Sequence, residues 1–181
     1  ISLDNINGDV TIEGCDCNEV TILAVVEASD QKSRDRIEVD IDASDNRIDI
    51  DTRYQKQERR WNFGNNYSRV TYHLTVPKNV KLRGIELVNG DLDIKGVRGE
   101  IDAELVNGDV ESDSMTGDAN ISTVNGGMNL TYLNTNDVND IKLESVNGSI
   151  ELFLPDDVNA DIEAETVSGR ISNDFGIHVE K

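Results

Sequence analysis

The stretch that decides the fold runs from Val88 to Tyr132 and divides into five units: VNGDLDIKG, VRGEIDAEL, VNGDVESDS, MTGDANIST and VNGGMNLTY. Glycine stands third in each unit, at Gly90, Gly99, Gly108, Gly117 and Gly126, nine residues apart. The first and fifth positions are apolar throughout: Val88 and Leu92, Val97 and Ile101, Val106 and Val110, Met115 and Ala119, Val124 and Met128. Positions five to seven alternate in, out and in, the period-two pattern of a strand with one buried face. A glycine just before each strand permits a sharp bend through positive φ. One bend and one strand every nine residues leave no room for a helix and its connections.

A longer period is superimposed. Asn occupies position two at Asn89, Asn107 and Asn125, every 18 residues. Asn tolerates the left-handed conformation and bonds its own backbone in turns. The spacing therefore predicts an all-β parallel solenoid, or β-helix, of nine-residue half-coils with 18 residues per coil. One corner of each coil is Asn-Gly: Asn89-Gly90, Asn107-Gly108, Asn125-Gly126 and, after an interruption, Asn147-Gly148. Asn-Gly also favours two-residue hairpins, so an antiparallel meander is the rival. Fixed periods favour stacked coils, with the asparagines laddered about 4.8 Å apart.

The same unit opens the chain as INGDVTIEG from Ile6. It returns after a polar loop at 133–140 as VNGSIELFL, and later as VSGRISN, with Ile162, Ala164, Val167 and Ile171 in register. Between 15 and 87 the repeat fades, although 20–28, 36–42, 47–52 and 68–77 alternate as strands. Ser29 is expected to cap a short helix over 29–36. The chain is read as a single β-solenoid domain over 1–181, irregular over 15–87 and regular over 88–173. The irregular part is either a wider section of the solenoid or a separate sheet.

Composition fits a thin repeat core: 36% of residues are hydrophobic and 4% aromatic. The formal charge is −19, which argues against duplex nucleic acid and anionic membrane surfaces as partners. No apolar run reaches the ~20 residues of a membrane span, so no membrane insertion is expected. The opening ISLDNINGDVTIEG already lies within a repeat, which raises the expectation of a preceding segment such as an export signal. Cys15 and Cys17 match neither a zinc site nor a thioredoxin-like pair. A bridge across one intervening residue is strained, so two free thiols are expected.

No catalytic constellation is present. His73 and His178 pair with no nucleophile motif, and hydrolase, metalloprotease and phosphate-loop signatures are missing. Outward columns stack Asp91 over Asp109, Asp93 over Glu111 and Glu100 over Asp118. Calcium could relieve such stacking, but the calcium-binding nonapeptide needs G-G-x-G-x-D. Each of these units is built on a single repeat glycine without that spacing, so neither metal nor cofactor is expected.

The segment RYQKQERRWNFGNNYSR, 53–69, departs from the rest with five cations against one anion. It links two strands and is expected to form a long hairpin excursion. Arg59, Arg60, Trp61, Phe63 and Tyr67 in it are the candidate ligand-binding residues, because cationic and aromatic groups together grip sugars or acidic partners. The alternative is that the aromatics cap the solenoid's end and the arginines answer its own acidic faces.

The V-N-G-D and V-S-G-R-I units, preceded by an alternating strand ending in Val76-Pro77, resemble the bacterial putative-adhesin family of unknown function. That resemblance implies an exported β-solenoid of the periplasm or cell surface, with no catalytic residues to carry over. The expected function is non-catalytic adhesion to a glycan or surface protein. A structural or signalling scaffold of the envelope, self-associating weakly through the solenoid ends, is the alternative. A polysaccharide-active enzyme is a minor one.

Overall fold

The computed structural model describes residues 1–55 and 67–158, with positions 161, 163, 171, 172 and 174. Fourteen strands and one helical turn are described: β1 (Ser2–Asn7), β2 (Val10–Cys15), β3 (Thr21–Ala28), α1 (Gln31–Arg34), β4 (Ile37–Ser44), β5 (Arg47–Tyr54) and β6 (Ser68–Pro77). There follow β7 (Leu82–Asn89), β8 (Leu92–Lys95), β9 (Ile101–Asn107), β10 (Val110–Met115), β11 (Ala119–Asn125), β12 (Met128–Tyr132), β13 (Ile141–Asn147) and β14 (Ile150–Phe153). They form two seven-stranded sheets, β13-β11-β9-β7-β1-β5-β4 and β14-β12-β10-β8-β2-β6-β3.

From β7 onward the chain alternates between the sheets, and each strand pairs in parallel with the equivalent strand of the next coil. Ile101 lies beside Ala119, and Val110 lies between Leu92 and Met128. The core is the space between the sheets. Leu87, Leu105, Ile121 and Ile85 enter from the first, and Ile12, Leu74, Ile94 and Leu130 from the second.

The coils do not stack in chain order. β1 sits between β5 and β7, and β2 between β6 and β8. The opening unit is thus clasped between the 47–77 coil and the 82–95 coil. Polar groups help to seal the first junction. Asn5 Nδ2 donates to the carbonyl of Val70 at 2.8 Å, and the Thr52 and Tyr72 hydroxyls lie 2.7 Å apart. Tyr54 Oη donates to the carbonyl of Asn7. Burial pushes the Tyr54 phenol up to about 12, so it remains a neutral donor at ordinary pH.

The irregular region belongs to the same two sheets and is not a separate one. β4 and β5 form a hairpin through Asp45-Asn46, and β3 pairs antiparallel with β6, so both outermost strands at this end run against their neighbours. The strands that flank 53–69 do not pair with each other. β5 lies in the first sheet beside β1, and β6 lies in the second beside β2. Residues 56–66, which link them, lie outside the described residues. The helix is capped by Asp30, not Ser29: its carboxylate accepts the Ser33 N–H at 2.6 Å. Cys15 and Cys17 are bridged, not free. The chain bends at Asp16 after β2 and brings their Cα atoms to 5.3 Å, within disulfide range.

The repeat glycines serve a different need from the one expected. Gly90, Gly108 and Gly126 are outside the positive-φ region, which among the described glycines holds Gly84, Gly96 and, of the repeat glycines, Gly8 alone. A Cβ at Gly108 would lie 2.0 Å from the Gly90 carbonyl oxygen, and one at Gly126 2.0 Å from that of Gly108. Successive Asn-Gly corners nest so closely that only hydrogen fits.

Candidate binding surface

The two corners of a coil treat the first unit position in opposite ways. The strand β9 runs unbroken from Ile101, so Ile101, Ala103 and Leu105 face inward and Val106 must face outward. At the other corner a positive-φ residue intervenes, Gly96 (φ 65°) after β8 and Ser114 (φ 59°) in β10. In β10 this turn is a β-bulge, seen as a register shift between Ser112 and Met115 against β12. It turns Val97 and Met115 back into the core, both fully buried.

The outward set forms a line. Asn7, Asn89, Asn107, Asn125 and Asn147 are in register from β1 to β13. Each Nδ2 donates to the Oδ1 of the preceding coil's asparagine at 2.8–3.0 Å. One residue back stand Ile6, Val88, Val106, Val124 and Val146, exposed by 42, 39, 42, 41 and 74%. They make a continuous aliphatic ridge on the outer face of the first sheet. Two residues further back, Asp4, Glu86, Glu104, Ser122 and Glu144 form a second row, four of its five members carboxylates. The outer face of the second sheet is polar along its repeat, with Thr11, Asp93, Glu111, Asn129 and Glu151 in one row.

Other carboxylates are used structurally. The backbone N–H of Asp109 donates to Asp91 Oδ1 at 2.9 Å, and that of Gly127 to Asp109 Oδ1 at 2.7 Å. The stacked aspartates thus cap the next corner, which offsets their mutual repulsion. Among the described residues no cluster of three metal-ligating side chains occurs. Asp118 accepts from the backbone of Asn139 at 2.6 Å and of Asp140 at 3.2 Å, anchoring the 133–140 loop. The Asn139 N–H, above all, holds the Asp118 carboxyl below its usual range. Beside it an open polar groove is lined by Lys81, Arg98, Glu100, Asp118, Asn134 and Asn139. Glu100 there is paired with Lys81 and Arg83.

Of the residues expected to bind ligand, Arg59, Arg60, Trp61 and Phe63 lie outside the described residues. Tyr67 is 57% exposed at the foot of that segment, its carbonyl accepting from Ser29. The described cations of 53–69 answer the protein's own acids: Arg53 pairs with Asp51 and Asp40, and Arg69 with Asp9 and Glu27. The aliphatic ridge was not among the expected site residues. Its signal is the valine before each Asn-Gly, which spells the same as a core valine.

Residues 85–181, more than half of the sequence, match the model of the Toastrack DUF4097 family. The chain belongs to that family. This Toastrack chain is also similar in fold to the crystal structure of a putative cell adhesion protein from Clostridium sporogenes. The TM-score is 0.59 at 12% identity, covering 85% of this chain and 91% of that one. Likeness at that identity is one of fold. No curated protein matches the chain.

Proposed function

We propose that this Toastrack chain is a non-catalytic, exported module of the cell envelope that adheres to a protein or glycan through the outer face of its first sheet. The observation that carries the reading is the ridge from Ile6 to Val146. Scattered exposed aliphatics are ordinary, but five in register on a rigid sheet are what interaction surfaces offer. The fold likeness to a protein described as a cell adhesion protein supports it. The cationic, aromatic segment with Arg59, Arg60, Trp61, Phe63 and Tyr67 is a second contact in this proposal.

The test is an array of glycans and surface or matrix proteins, read with wild type, a Val106→Lys, Val124→Lys variant and an Arg60→Ala, Trp61→Ala variant. Capture by wild type that the valine variant loses supports the ridge. Capture lost in the arginine–tryptophan variant alone moves adhesion to the segment. No capture by wild type overturns the reading.

A scaffold role has its own supporting observation. At one end of the stack β3 and β4 are edge strands, and Leu23, Val25 and Ile41 are exposed on them. Unpaired edges favour end-to-end contact. Light scattering across a concentration series tests it: a mass that stays monomeric rejects assembly through this end.

A further inference from the structure

Three features of the first sheet's outer face define what it would accept. The first is the aliphatic ridge of Ile6, Val88, Val106, Val124 and Val146. The second is the carboxylate row lying about 6.6 Å away along the strands. Its members Asp4, Glu86 and Glu104 have no cation within bonding distance among the described residues. Among the described residues cations answer only the two ends, Lys142 on Glu144 and Arg53 on Asp51, which lies beside Asp4 in β5. The third is the repeat distance, about 4.8 Å from coil to coil. Burial, and then the neighbouring charges of Asp51 and Asp49, raise the Asp4 carboxyl, so a cation arriving at this row would find it short of positive charge.

A second copy of the chain does not suit this face: a two-fold axis along the strands would set carboxylate row against carboxylate row, and one along the solenoid would turn that row toward the neutral asparagine side, so neither brings it a cation. The repeat distance separates the remaining polypeptide shapes. Alternate side chains of an extended segment recur every ~6.8 Å, and over four coil spacings the mismatch with the ridge grows to about 8 Å. Apolar side chains along one stripe of an α-helix recur once per turn, about 5.4 Å. Over the same four spacings they drift by only about 2 Å, within the adjustment of side-chain rotamers. A ridge of about 19 Å then matches roughly 13 helical residues.

We propose that the outer face of the first sheet docks a cationic amphipathic α-helix of a partner protein, its axis along the solenoid, its apolar stripe on the Ile6–Val146 ridge and its basic flank over Asp4, Glu86 and Glu104. The inference rests on the adhesion reading above and names its partner. Valines supply the area removed from water, the carboxylates fix which flank of the helix turns toward them, and the asparagine ladder borders the opposite side with neutral amides.

The probe is a fluorescein-labelled 18-residue synthetic helix with leucine at i, i+3, i+4 and i+7 positions and lysine along one flank, titrated into the full chain. Two controls carry the same leucine stripe with glutamate on the flank, or the same composition scrambled. Saturable binding is expected for the lysine helix alone, weakening as salt rises. Glu86→Gln with Glu104→Gln is expected to weaken it about tenfold or more, and so is Val106→Asn with Val124→Asn. Both are surface changes whose unchanged melting curves show intact folding. Asp93→Asn with Glu111→Gln, on the other sheet's outer face, leaves binding unchanged. Equal binding of the scrambled peptide, or indifference to both pairs of substitutions, overturns the proposal. If the array above gives ridge-dependent capture while the lysine helix fails to bind, the helix is wrong and the adhesion reading stands. If both fail, both fall.

Discussion

Val97 and Val106 hold the same place in successive nine-residue units, yet Val97 is fully buried and Val106 is 42% exposed. The difference comes from Gly96, whose positive φ breaks the in–out alternation before Val97 and turns it inward. Truncating both side chains should separate their roles. Val97→Ala is expected to cost roughly 2 kcal/mol, the loss of buried methyls and the cavity left behind. Val106→Ala should stay within about 0.5 kcal/mol. Urea denaturation of the two variants against wild type measures both.

Gly126 and Gly127 are neighbours with opposite tolerances. A Cβ on Gly126 would meet the Gly108 carbonyl oxygen at 2.0 Å, whereas one on Gly127 meets nothing nearer than 3.5 Å. Gly126→Ala should therefore destabilise by about 2 kcal/mol or more, since backbone must move. Gly127→Ala should be neutral or stabilising by up to about 0.5 kcal/mol, through the reduced freedom of the unfolded chain. Thermal melts in parallel decide it; equal losses would show that the corners do not nest.

Ser114 is the one non-glycine residue with positive φ among those described. Ser114→Gly should hold or raise stability by up to about 1 kcal/mol, because an L-residue there carries a steric penalty that glycine lacks. Ser114→Val should lose roughly 1–2 kcal/mol. If valine melts with glycine, the bulge does not depend on this residue's conformation.

The 133–140 loop should respond to acid through Asp118. Its folded pKa lies below the ordinary value, chiefly because the Asn139 N–H bonds the carboxylate. A depressed pKa means that the anchoring contribution is complete above the unfolded value, about 3.9, and fades as pH falls through the lower folded value. Hydrogen exchange at Asn139 and Asp140 should thus quicken, relative to other loop amides, as pH drops below about 4. In Asp118→Ala it should be fast already at neutral pH, with no such step.

The repeat was legible because nested corners impose a fixed count of residues on the chain. Asn89, Asn107 and Asn125 announce the period on their own. What position one does could not be read, since Val88 and Val97 are the same letter and only φ at Gly96 separates them. The exposed ridge, which carries the functional reading, was hidden for that reason. The placement of β1 and β2 was equally silent: INGDVTIEG resembles every other unit, and nothing in it says that later strands will flank it on both sides. The helix cap was misread by one residue because Ser29 and Asp30 are both good caps, and geometry alone chose the carboxylate.

That flanking has a consequence for the order of events in synthesis. The ribosome delivers β1 and β2 first, but their permanent neighbours are β5 and β6 on one side and β7 and β8 on the other. The first strands gain partners on one side once β5 and β6 have emerged, and are enclosed on both only when residue 95 has followed. Backbone bonds such as Gly8 N–H to the Asn89 carbonyl, 2.9 Å, close a loop of about 80 residues. Coils from β9 onward can then be laid down one after another, each on a finished template. The chain therefore starts slowly and grows quickly, and a deletion of residues 1–15 would remove an interior layer of the stack, not its end.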